Sequence, residues 1–149
     1  MKATILEAAV IVLAASAAFA SDYGDAARLA TDSAKFAWCE VQSLPTLTPW
    51  PTYEYWRTLA LSDAESALNE AAIAVQSAGI ADDWYAIYSR QMVMRATGQR
   101  WNMQTLTDAK GKYDAARADS LLHSGESRAW AGLSGNAAAT ARQMLAAID

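Results

Sequence analysis

A chain of 149 residues, 53% hydrophobic and 19% charged, has the size of one domain and too much apolar matter for disorder. Much of that apolar share is alanine, which forms helix well but buries little area, so six Trp and six Tyr must supply the heavy anchors. A net charge of −4 argues against nucleic acid as a partner, and the lone cysteine, Cys39, excludes an internal disulfide framework.

The charge is unevenly spread. Residues 22–83 hold ten acidic and three basic side chains, whereas residues 84–149 hold five acidic and eight basic ones. Two complementary halves of one bundle account for this. A basic surface for an acidic partner or anionic lipid is the sharper alternative, and it would weaken with salt. Cys39 is expected to be buried, because a free cysteine behaves as a small hydrophobe.

Residues 1–20 read as a secretory signal peptide or a membrane anchor. Lys2 gives a positive start, Ile5 to Ala15 is apolar, and Ala18-Phe19-Ala20 ends as a small-x-small cleavage site before Ser21. Glu7 interrupts the apolar run, where a carboxylate is costly in lipid unless paired. The segment Ala3-Thr4-Ile5-Leu6-Glu7-Ala8 resembles the start of mature type IV pilins. In that family the Glu neutralises a neighbouring subunit's N-terminus inside the filament. Here Lys2 replaces the Gly expected before the cleavage site, and the leader would be two residues long.

Residues 21–149 are expected to form a single all-α domain, an Ala-rich bundle of four or five helices. The first helix, about 22–43, carries the stripe Leu29, Ser33, Phe36, Glu40 and Leu44, at spacings of three and four. Pro45, Pro49 and Pro51 make residues 44–52 an extended strap on which Leu47 and Trp50 can pack. A second helix, about 53–78, shows Arg57, Leu61, Ala64, Leu68, Ala71 and Val75, with Gly79 as its stop. Asp82 or Asp83 caps a third, with Trp84, Ile87, Gln91 and Met94 on one face and Tyr85, Tyr88 and Met92 on another. Thr105 or Thr107 caps a fourth, with Leu106, Ala109, Tyr113, Ala116 and Ser120 aligned and Gly125 closing it. The last, from about 126, aligns Trp130, Leu133, Ala137, Ala141, Met144 and Ile148.

Within the fourth helix, Lys110-Gly111-Lys112-Tyr113-Asp114-Ala115-Ala116 resembles the turn between the two helices of a tetratricopeptide repeat. No second copy follows at the 34-residue period of that repeat.

Catalysis by a nucleophile needs a base and an orienting group beside it. The sole histidine, His123, has Asp119 four residues before it and Glu126 three after, half of a metal site at most. It reads instead as a solvated side chain near a helix C-terminus. Glu65, Glu70, Asp82 and Asp83 read as surface or capping residues, and no catalytic residue, cofactor or metal is assigned. Arg90, Arg95 and Arg100 recur among Tyr85, Tyr88 and Trp101, but a spacing of five drifts round a helix. Trp84, Tyr85, Tyr88, Arg95, Trp101 and Trp130 are therefore candidates for an interface or pocket.

The chain is thus expected to be a non-catalytic extracytoplasmic protein acting through protein partners or self-assembly in an envelope or surface assembly. One alternative is a membrane-anchored structural subunit of a larger particle, such as a virion, pilus or membrane complex. Another is a carrier of small apolar ligands, with a pocket lined by Trp84, Tyr88, Trp101 and Trp130.

Overall fold

The computed structural model describes the backbone of residues 2–47 and 49–148, and the side chains of residues 22–47 and 49–148. Among the described residues there are three helices and no strand: α1 (Lys2–Gln42), α2 (Pro51–Ala96) and α3 (Met103–Ala146). The all-α class holds. The side chains on which the signal or anchor reading of residues 1–20 rests lie outside the described residues. No helix among the described residues is long and apolar enough to cross a membrane.

Three helices replace the expected four or five because Gly79 and Gly125 continue a helix rather than end it. A glycine inside a helix costs about 1 kcal/mol relative to alanine, which contact along tens of residues outweighs. Among the described residues Gly98 alone has a positive φ, +70°, and there the chain reverses between α2 and α3. The segment around Gly111 is continuous helix, so the repeat-like turn does not form. The cap of α3 is Asn102 rather than a threonine, its side-chain oxygen accepting the Thr105 N–H at 2.9 Å. Pro51 opens α2 at a position where its missing N–H is no loss.

The buried seam explains the length of the helices. In α1 it comprises Tyr23, Ala27, Ala30, Ala34, Ala37 and Val41, continued by Leu44 just past the helix end, in alternating steps of four and three. The α2 seam is Ala60, Ala64, Ala67, Ala71, Ala74, Ala78 and Ala81, and that of α3 includes Ser120, Ser124, Ser127, Ser134, Ala138 and Ala141. A mean spacing of 3.5 residues winds helices round one another in a left-handed sense. Because nearly every seam residue is Ala or Ser, the backbones approach closely.

Three serines fix the alignment. Ser120, Ser127 and Ser134 donate to the carbonyls of Ala74, Ala67 and Ala60 at 2.9, 2.8 and 2.8 Å. Seven residues forward on α3 match seven back on α2. Ser120 and Ser127 also lie 3.5 Å from the Tyr23 and Ala30 carbonyls, so α1 advances with α3. The helices run up, down and up. Each hydroxyl is satisfied without asking the helix to give up its own hydrogen bonds, since a carbonyl has a second lone pair.

Heavier side chains close the ends. Leu44, at the start of the strap, and Tyr53 just after it are both buried, and the Tyr53 hydroxyl donates to the Pro45 carbonyl at 2.6 Å. Leu47 packs on this cluster as expected, while Trp50 stays 47% exposed. Cys39 is exposed, contrary to expectation, because the seam passes through Ala37 and Val41 on either side of it. The acidic and basic halves do meet, through Arg142 with Glu40 and Arg117 with Asp22.

Candidate functional site

Two clusters of functional side chains form where α2 and α3 lie side by side. The first surrounds His123. Since α3 runs on past Gly125, this residue sits in mid-helix rather than at a C-terminus, and its side chain is only 22% exposed. The α2–α3 alignment brings Glu70 onto its Nδ1, where the two side chains hydrogen-bond. Glu126, one turn on, places an oxygen 3.7 Å from the same nitrogen. Asp119, one turn back, lies 3.6 Å from Nε2. The Ser77 hydroxyl donates to the other Asp119 oxygen at 2.8 Å. The hydrogen bond to Glu70 raises the imidazole pKa above its ordinary value; burial opposes this, and the nearby carboxylates add to the rise. Ser77 contacts the carboxylate and not the imidazole, so His123 is not placed to take a proton from that hydroxyl.

Sequence reasoning paired His123 with Asp119 and Glu126 but passed over Glu70 as a surface residue. Only the alignment of α2 with α3 reveals it. The serines spaced by seven on α3, opposite alanines spaced by seven on α2, are the signal that could have found it.

The second cluster is aromatic. Tyr23 of α1 is fully buried and donates its hydroxyl to Asp82 of α2. Burial first, and then Asp82, push its pKa well above the ordinary phenol value. Its ring meets Tyr113 edge-on at 6.2 Å, Tyr113 meets Tyr85 at 5.2 Å, and Tyr85 meets Tyr88 at 6.3 Å. Trp84 packs against this group and carries Lys112 over its ring at 4.2 Å. The arrangement is a clamp holding α1 to the α2–α3 pair.

Of the residues singled out from the sequence, Trp84, Tyr85 and Tyr88 come together here. Arg95 and Trp101 form a separate pair at the α2–α3 turn, the guanidinium 5.0 Å from the ring. Trp130 is remote from both. It lies about 20 residues along α3 from the level of Trp84, about 30 Å at 1.5 Å per residue. The four residues expected to line a carrier's pocket therefore do not share one.

The outward side of α3 repeats the logic of its buried side. Gly111, Ala115, Ala118, Leu122, Gly125, Ala129, Gly132, Asn136, Ala139, Gln143 and Ala146 follow one another in steps of four and three, and all are exposed. A methyl group built on Gly111, Gly125 or Gly132 would meet nothing within 4 Å. Packing among the described residues gives no reason for glycine at these positions. Phe36, Leu122 and Leu133 are also exposed, by 69%, 57% and 51%.

Comparison of the chain with models of known protein families, with curated proteins and with solved structures finds no match.

Proposed function

We propose that this chain is a non-catalytic structural subunit, working by protein–protein contact in an extracytoplasmic envelope or surface assembly, with residues 1–20 as its export signal or anchor. The observation that carries this reading is the outward row of small residues on α3. It has the same spacing as the seam that packs α1, α2 and α3 against one another, and eight of its eleven residues are Gly or Ala, with Leu122, Asn136 and Gln143 the larger exceptions. A helix of a neighbouring subunit lying along it would approach as closely as α2 does on the other side. Each exposed mid-helix glycine costs the isolated chain about 0.5–1 kcal/mol relative to alanine, a cost that close approach of a partner would offset.

The test is the double variant Gly111→Ala/Gly132→Ala. The lone chain should melt higher, with about 1–2 kcal/mol gained in total. Its association, followed by sedimentation velocity and by pull-down from envelope extracts, should weaken against the wild type. Equal association in both proteins would remove the support for this reading.

The anchored alternative draws on a different observation. Helix α1 runs without a break from Lys2 to Gln42, so the apolar segment and the bundle's first helix are one rod. That geometry suits an N-terminus that stays attached inside a larger particle. N-terminal sequencing of the assembled material distinguishes the two, since a retained anchor leaves residues 1–20 in place and a signal peptide does not.

A further inference from the structure

We propose that Glu70, His123 and Glu126 form a site for a divalent transition-metal cation that ties α2 to α3 at mid-bundle. One nitrogen and two carboxylate oxygens from these residues lie within 4.8 Å of one another. Zinc binds imidazole nitrogen and carboxylate oxygen at about 2.0–2.2 Å, so atoms sharing one ion stand about 3–3.6 Å apart. Glu126 is the outermost of the three, 47% exposed, so its side chain is the one that would move to close the difference.

Three further features favour a cation. His123 presents Nδ1 to both glutamates and Nε2 to Asp119. A metal-bound histidine ordinarily shows this pattern, its second ring N–H held by a carboxylate. Ser77 in turn holds Asp119. Charge is also unbalanced: three carboxylates surround one imidazole, while the lysine and arginine ion pairs among the described residues are made elsewhere. Finally, the donor set is mixed. Carboxylates alone suit magnesium or calcium, whereas an imidazole at the centre shifts preference towards zinc and its neighbours. The remaining positions on the ion would be filled by water. Because the seam at this level is built of Ala and Ser, a metal bridge would add stability that apolar packing supplies only sparingly.

The test uses the full chain with Cys39→Ser, which removes the only thiol, at mildly alkaline pH, where proton competition is least. His123 is the only histidine, so a single imidazole signal in the NMR spectrum reports on the site. Zn2+ should shift that signal, bind one ion per chain by calorimetry and raise the melting temperature, while Mg2+ should do none of these. Glu70→Gln and His123→Gln should each abolish the calorimetric signal. Asp119→Asn should weaken binding by about 10–100-fold at unchanged stoichiometry. An imidazole signal unmoved by excess Zn2+ overturns the proposal, and that measurement needs no variant to fold. Zinc affinity undiminished in His123→Gln also overturns it, by placing the ion on surface carboxylates.

Discussion

Asp63 and Ser127 are both buried polar residues, and the seam treats them in opposite ways. Asp63 is 8% exposed, and burial holds its carboxyl above the usual range. The seven-residue alignment puts it at the level of Ala34 and Ala131. The native state therefore holds this proton more tightly than the unfolded chain does. As pH rises past the unfolded value of about 3.9, the unfolded chain ionises first and stability falls until the native value is passed. Asp63→Ala should be more stable than wild type near neutral pH by about 1 kcal/mol, with the difference gone at about pH 3, as urea midpoints at the two pH values will show. Ser127, by contrast, is fully buried with its hydroxyl on the Ala67 carbonyl. Ser127→Ala should cost about 0.5–1.5 kcal/mol. Ser127→Val has no room between backbones this close and should cost about 1–3 kcal/mol beyond that. A Val variant as stable as the Ala variant would mean that the helices are not in close contact.

Gly79 and Gly98 carry the same side chain and do opposite things to their elements. Gly98, at φ +70°, sits where an L side chain is strained by about 1–2 kcal/mol. Gly79 lies within α2, and a methyl group there would meet nothing. Gly98→Ala should therefore lower the melting temperature, and Gly79→Ala should raise it, by about 0.5–1 kcal/mol in equivalent stability. The sequence marks Gly79 as a break, since propensity cannot tell a glycine that turns the chain, as Gly98 does, from one tolerated inside a long contact. Seam positions were legible to a similar degree. Ala64, Ala71, Leu106, Ala109, Tyr113, Ser120, Ala137 and Ala141 are buried as the periodicity predicts. Leu29, Phe36, Val75 and Leu133 are not, at 48%, 69%, 50% and 51% exposure. Pattern reading follows the bulkiest side chains, whereas here the smallest ones face inward and the large ones are pushed outward. The His123 cluster was half legible for the same reason: one helix carries three of its members, and the fourth needed an alignment hidden among alanines.

Burying an alanine methyl contributes on the order of 0.8 kcal/mol, and burying a leucine side chain about twice that or more. Stability in this molecule must therefore come from many thin layers rather than a few thick ones. At 1.5 Å per residue α2 is about 70 Å long, and each seven-residue layer spans about 10.5 Å of it. Surface pairs such as Arg28 with Asp25, both more than 60% exposed, add little. Raising salt should accordingly leave the melting temperature nearly unchanged, whereas urea should unfold the chain with a steep dependence set by the area exposed.

The serine ladder makes the layers interchangeable storeys. Excising residues 31–37, 60–66 and 128–134 together removes one storey from every helix and should yield a folded rod shorter by about 10.5 Å, measurable by small-angle scattering. Taking out residues 60–66 alone leaves one pillar a storey short of its two neighbours, so the strap or the turn at Gly98 would have to span the gap, and the shortened chain should melt far lower than the evenly trimmed one. Length in this protein is thus a quantity that whole heptads can add or subtract, provided all three helices change in step.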